Sequence, residues 1–139
     1  MPLETSNTAH TLPIRVYYED TDAGGIVYYA NYLKFFERAR TEWLRALGVS
    51  QADLAHKHQQ IFVVKKSEIE YLYPARHDDL LIIHSQITHL GGASLVFVQQ
   101  AVLDNKVLCQ GKTVIVCVHS ETMRPIKLHP DIRAILKKV

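Results

Sequence analysis

The order of patterns along this chain predicts an α+β domain: one short strand, one long amphipathic helix, then four strands in succession. Three observations carry that prediction. Apolar residues recur at helical spacing through residues 31–47. From Ile61 onward the periodicity gives way to runs of β-branched and aliphatic residues. Those runs are broken by compact turn segments at 74–79, 91–92 and 104–106. A single helix between a first strand and a strand-rich remainder belongs on one face of one sheet.

The first strand is expected over residues 14–18, where Ile14-Arg15-Val16-Tyr17-Tyr18 alternates for a few positions. It runs into an acidic loop, Glu19-Asp20-Thr21-Asp22, followed by Gly24-Gly25. The helix is expected next. Tyr32, Phe36, Ala39, Trp43 and Leu47 form its apolar stripe, Leu33 and Leu44 widen it, and Lys34, Arg38, Glu42 and Arg45 fall largely on the other face. Asn31 is the candidate N-cap, and Gly48 is a natural stop because glycine tolerates the left-handed conformation that ends many helices. Residues 50–55 suit a short second helix, followed by a polar bend at 56–60. The four strands are expected over 61–73, 80–90, 93–103 and 107–119, as successive antiparallel neighbours, with a short terminal helix over 131–138.

A chain of 139 residues with 47% hydrophobic composition fits one domain, read here as 1–139 with a flexible leading segment at 1–11. The net charge of +2 is too mild, and the basic residues too scattered, to imply a nucleic-acid partner. The leading residues lack the basic start and apolar core of a signal peptide, and no segment is long and apolar enough to span a membrane. Cys109 and Cys117 lie in strand-like sequence without metal-ligand or redox spacing, and read as reduced core residues of a cytoplasmic protein. The eight histidines include no metal-binding pattern, there is no Gly-x-Ser-x-Gly elbow, and Gly24-Gly25 is not a dinucleotide or phosphate-loop fingerprint. No metal and no cofactor are implied.

Chemistry concentrates at residues 18–32. Carboxylates and two glycines immediately precede a helix start, where the first amides lack intrahelical partners and carry partial positive charge. A developing oxyanion held there is stabilised without rearrangement, and a neighbouring carboxylate can act as base or nucleophile. Asp22 leads, because Gly24 and Gly25 let the backbone turn sharply and approach a ligand; Asp20 and Glu19 compete. The alternative for each is that of a cap or turn former. Glu37 can offer a carboxylate from the helix or pair with neighbouring cations. Arg38, Arg40 and Arg45 read as helix-surface or interface charges. Lys65, Lys66 and Arg76, with His77 beside it, can meet a phosphorylated carrier at a cleft edge or stand as solvated cations.

The run Tyr18-Glu19-Asp20-Thr21-Asp22-Ala23-Gly24-Gly25-Ile26-Val27-Tyr28-Tyr29-Ala30-Asn31-Tyr32, followed by Phe36-Glu37-Arg38-Ala39-Arg40, closely resembles the signature of the YbgC-type and 4-hydroxybenzoyl-CoA thioesterases. The resemblance continues through Val63-Val64-Lys65-Lys66, Tyr73-Pro74-Ala75-Arg76 with Asp78-Asp79, and Ser94-Leu95-Val96-Phe97. It implies a hotdog fold, a curved antiparallel sheet wrapped around the helix, with protomers joined into a continuous sheet and often a dimer of dimers. It implies hydrolysis of an acyl thioester of CoA or acyl-carrier protein. The catalytic aspartate carries over to Asp22 and the helix-start backbone donor to the Tyr29 N–H. Glu37 matches a position that contacts the acyl group; Gly24 and Gly25, with Lys65, Lys66 and Arg76, are the remaining candidates for binding substrate. Tyr29 stands where many YbgC-type proteins have His, and the basic run that benzoyl-specific enzymes carry near the hairpin is missing at Leu90-Gly91-Gly92-Ala93. Two other classes stay open: a non-catalytic acyl-carrier or lipid-enzyme interaction module, and a hotdog dehydratase acting on a hydroxyacyl thioester. The dehydratase needs a His–Asp or His–Glu pair that the motif lacks.

Overall fold

A computed structural model describes residues 10–139. Its elements are β1 (His10–Arg15), α1 (Asn31–Ala46), α2 (Gln51–His58), β2 (Gln60–Tyr71), β3 (Leu80–Leu90), β4 (Ser94–Leu103), β5 (Lys106–His119) and α3 (Pro130–Leu136). The expected order of one strand, a long helix and four strands is therefore present. All five strands form one antiparallel sheet in the order β1-β3-β4-β5-β2.

That order corrects one expectation. β2 and β3 are consecutive in sequence but are not paired: β2 lies against β5 at one edge, and β3 lies between β1 and β4. The six residues from Pro74 to Asp79 are not a tight hairpin turn. They carry the chain from one edge region of the sheet to the other side. The first strand also starts earlier than expected, since His10 and Thr11, assigned to the flexible leading segment, already pair with Ser85 and His84. The rest of that segment lies outside the described residues. β1 ends at Arg15; beyond it Val16 bonds to Asp78 and Asp79, the Tyr17 N–H donates to the Asp20 carboxylate at 2.9 Å, and residues Tyr18–Asp20 form a single 3-10 turn.

Helix α1 lies across the sheet and buries Tyr32, Phe35, Phe36, Ala39, Trp43 and Leu44. Its first half packs on Leu81, Ile83, Ala101, Leu108 and Cys109, and its second half on Leu95, Phe97, Ile115 and Cys117. The close approach of helix to sheet is set at Gly111, where a Cβ would meet Phe36 Cε2 at 3.1 Å. Two side chains break the expected stripe. Leu33 is exposed, while Arg40, expected at the surface, is buried and donates through Nη1 to Gln99 Oε1 at 3.0 Å. Gln99 in turn donates to the Phe36 carbonyl at 2.9 Å and to Ser85 Oγ at 3.0 Å. A buried guanidinium is tolerated because this polar strip between helix and sheet meets its donors.

The helix ends as Gly48 leads one to expect. Gly48 has φ +86°, its N–H reaches the Arg45 carbonyl at 3.0 Å, and the Val49 N–H reaches the Leu44 carbonyl at 2.9 Å. This is the Schellman pairing, with Val49 buried beside the helix end. α2 extends to His58, beyond the expected stop, and is capped by Ser50 Oγ accepting from the Asp53 N–H at 3.1 Å. Cys109 and Cys117 are free and buried, and burial pushes their thiols up to about 12 and about 11 respectively. No described helix is long and apolar enough to cross a membrane, and no group of metal-ligating side chains forms among the described residues.

Candidate active site

The acidic loop is a small, heavily tied hairpin. Thr21 and Val27 form an antiparallel bridge, the Asp22 N–H donates to the Ile26 carbonyl at 2.9 Å, and the Gly25 N–H donates to the Asp22 carbonyl at 3.0 Å. Gly25 occupies φ +77°, a conformation other residues adopt only under strain. Gly24 brings its N–H to Asp22 Oδ1 at 2.9 Å, and a Cβ on Gly24 would stand 3.2 Å from that same oxygen. Both glycines therefore serve the placement of Asp22. The hairpin docks on the 74–79 segment, where Ile26 bridges Arg76 and the Val27 N–H meets the Ala75 carbonyl at 2.8 Å.

The three carboxylates that compete in the sequence separate on burial and partners. Asp20 is buried, and both its oxygens are engaged: Oδ2 accepts from the Tyr17 N–H and Oδ1 from Asn31 Nδ2, each at 2.9 Å. Its backbone carbonyl accepts from the Tyr28 N–H at 2.8 Å. Asp20 thus fastens the loop to the helix start, with a donor on each of its oxygens. Asp22 is exposed, holds only the Gly24 N–H on Oδ1, and keeps Oδ2 open. Glu19 is exposed and makes no described hydrogen bond.

Asn31 is not the N-cap. It is the first helical residue, the cap position falls on Ala30, and no side chain caps the helix. Its amide is used instead to hold Asp20. An alanine cap leaves the first amides of α1 without a side-chain acceptor, and among the described residues the Tyr29 N–H just before it donates to nothing. The Tyr29 carbonyl accepts from the Tyr71 hydroxyl at 3.0 Å. Tyr28, Tyr29 and Tyr71 form an exposed run of ring contacts at this helix start, with centroids 5.0 Å and 6.0 Å apart.

The other candidates are distributed around this point. Arg76 joins the loop through its backbone bridge, its own N–H donating to Asp79 Oδ2 at 2.8 Å. Glu37 lies on the outward face of α1, accepts from Thr41 Oγ1 at 3.0 Å, and lines a groove with Leu33 and Arg40 of α1, Val64 and Ser67 of β2 and Thr113 of β5. Lys65 sits at the bulge of β2, and Lys66 beyond it pairs with Glu68 at 2.8 Å; both are exposed, and no described contact ties them to the acidic loop. Sequence reasoning missed Tyr71. Its only signal was position, at the end of a strand just before the Pro74 turn.

The model of the thioesterase-like superfamily matches residues 16–136. Over 134 residues the chain is 46% identical to the acyl-CoA thioester hydrolase YbgC of Escherichia coli O6:H1, covering 96% of this chain and 99% of that one. It is 42% identical over 124 residues to the acyl-CoA thioesterase YbgC of Haemophilus influenzae, covering 89% of this chain and 91% of its relative. Among solved structures, the probable thioesterase from Bartonella henselae superposes with a TM-score of 0.82 at 37% identity, covering 86% of this chain and 98% of that one. The 1,4-dihydroxy-2-naphthoyl-CoA thioesterase of Synechocystis shares the fold, with a TM-score of 0.86 at 20% identity over 93% of this chain and 96% of its own.

Proposed function

The chain belongs to the thioesterase-like superfamily, and from that membership and the loop geometry we propose that it hydrolyses acyl-CoA thioesters with Asp22 as the reactive carboxylate and the Tyr29 amide as the oxyanion donor. The observation that carries this reading is the contrast within one loop: Asp20 has a donor on each oxygen, whereas Asp22 presents an open oxygen a few residues before a backbone N–H that, among the described residues, has no partner at an uncapped helix start.

In this mechanism the thioester carbonyl oxygen sits at the Tyr29 N–H. Negative charge that develops on it is met by a fixed donor and by the N-terminal end of the α1 dipole. Asp22 Oδ2 then takes one of two routes. It removes a proton from water as the water oxygen attacks the carbonyl carbon, or it attacks that carbon itself to give a mixed anhydride that water opens. Either route breaks the C–S bond, releases the thiol and leaves a carboxylate. The Gly24 N–H holds Oδ1, and Oδ2 is the oxygen left to react.

Glu37 and the groove beside it face the acyl portion, while Lys65, Lys66 and Arg76 are the candidates for the phosphates of CoA or of an acyl-carrier protein. The protein works as a dimer or dimer of dimers in the cytoplasm. Support for assembly comes from β2, a 12-residue strand with one edge that pairs with no strand among the described residues and that a second copy can extend into a continuous sheet.

The test is thiol release from short, long and aromatic acyl-CoAs by the wild-type chain and by Asp22→Asn. Turnover by the wild type, abolished in a folded Asp22→Asn protein, is the expected result. Full activity of the variant removes Asp22 from the mechanism. Binding without hydrolysis across the whole panel favours an acyl-carrier interaction module instead.

A further inference from the structure

The segment that presents the Tyr29 amide is tied on its N-terminal side at both backbone groups of Tyr28. The Tyr28 N–H is held by the Asp20 carbonyl at 2.8 Å, and the Tyr28 carbonyl accepts from the Asn31 N–H at 2.8 Å. The Tyr29 carbonyl lies outside the helical ladder, whose first described bond runs from the Leu33 N–H to the Ala30 carbonyl at 3.2 Å. Its acceptor capacity is met by one group among the described residues, the Tyr71 hydroxyl at 3.0 Å, from 42 positions away in sequence. We propose that Tyr71 is a positioning residue for the oxyanion amide: its hydroxyl fixes the peptide plane that follows Tyr29, which contains the Tyr29 carbonyl and the Ala30 N–H, and so holds in place the Tyr29 backbone whose own N–H lies in the preceding plane, without touching substrate. This rests on the reading of Tyr29 given above.

Tyr71 is well suited to act as a fixed post. It is the last residue of β2 and pairs with Cys109 of β5, and immediately after it the N–H groups of Leu72 and Tyr73 both reach the Leu108 carbonyl, at 2.8 and 3.1 Å. Its ring packs against Tyr32 of the core, with centroids 5.8 Å apart, and meets the Tyr29 ring edge-on at 6.0 Å. The hydroxyl is thus delivered from the rigid sheet, not from the loop it steadies. Partial burial raises the phenol above its ordinary range, so it remains a donor at neutral pH. Fixed geometry matters here because an oxyanion donor is effective only if it is already aimed when charge develops.

Tyr71→Phe keeps the ring and removes only the donor. Alongside the wild type and Asp22→Asn, it is assayed for thiol release over the acyl-CoA panel, for thermal stability, and for the amide resonances of residues 28–31 in a TROSY spectrum. The expected result is a fall in kcat of about tenfold, KM within about twofold, little change in Tm, and shifts confined to the Tyr29 and Ala30 amides. If kcat stays within about twofold of wild type while Asp22→Asn is inactive, the positioning role is overturned and the hydrolase reading stands. A rise in KM at unchanged kcat makes Tyr71 a substrate contact and also overturns the proposal. If Asp22→Asn retains full activity, or the wild type releases no thiol, the underlying reading fails first and the proposed role falls with it.

Discussion

Replacing Asp20 and Asp22 separately should divide stability from turnover. Asp20→Ala removes two acceptors at once, one for the Tyr17 N–H and one for the Asn31 side chain. Tyr17 is largely exposed, so water recovers its donor and that bond costs about 1 kcal/mol. Asn31 is buried, and its stranded amide, formerly bonded to a carboxylate, costs about 2 kcal/mol. The sum is about 3 kcal/mol. At about 2.1 cal/mol/K per residue the unfolding entropy of a 139-residue chain is about 0.29 kcal/mol/K, so the expected fall in Tm is about 10 °C. Asp20→Asn should cost about a third of that, because the Asn31 amide can turn over and present its oxygen to the new donor. Asp22→Asn should move Tm by no more than about 2 °C, since its one bond is exposed, yet should lose turnover. Differential scanning fluorimetry at one fixed protein concentration, paired with the thiol-release assay, reads both effects. Equal destabilisation by the Asp20 and Asp22 substitutions, or an Asp20→Ala chain as stable as wild type, would refute the division of labour.

Three further outcomes follow from the core and from the end of α1. Gln99→Leu strands the buried Arg40 donor and the Ser85 hydroxyl together and should cost about 3–5 kcal/mol by urea unfolding, while Arg40→Met combined with Gln99→Leu recovers at least half of the loss. Gly48→Ala, forced to hold φ +86°, should cost about 1 kcal/mol and lower Tm by about 3 °C in the same assay. Cys109 and Cys117 should resist a thiol reagent at pH 8 in the native protein and both react in denaturant. Because burial raises both thiols in the folded state, the stability they contribute is fully present below the ordinary thiol pKa of about 9 and is lost as pH rises through about 11 to about 12. A Tm measured against pH should decline on the alkaline side, and a flat alkaline profile would contradict the burial of these groups.

The elements most legible in the sequence were those whose periodicity and punctuation agreed. α1 shows its helical stripe and its Gly48 stop, and β3 was bounded by Asp79 on one side and Gly91 on the other; both lie where the pattern put them. Pairing order was less legible, because the hydrophobic pattern of β2 says only that one face is buried. It does not say which strand lies beside it, and the chain crosses to β3 without pairing. Arg40 was misplaced for a related reason. Sequence assigns a cation to the surface by type, whereas its partner Gln99 lies 59 residues away on a strand that only the tertiary fold brings under the helix.

The candidate site divides along the same line between local and distant. Asp22, Gly24, Gly25 and Tyr29 lie within eight consecutive residues, so their association is written into the chain itself. What sequence could not decide was which carboxylate is free to react, since Asp20 and Asp22 are alike in type and two positions apart. The decision comes from Asn31 and Tyr17, whose donors occupy Asp20 and leave Asp22 with an open oxygen. An acidic loop of this kind needs both residues. One carboxylate must be satisfied to hold the loop against the helix start, so that the other can stay unsatisfied without the loop moving to meet it. The glycines complete that arrangement: Gly25 turns at φ +77°, where a side chain brings strain, and Gly24 presents its N–H to Asp22 Oδ1, where a Cβ would stand 3.2 Å from the same oxygen.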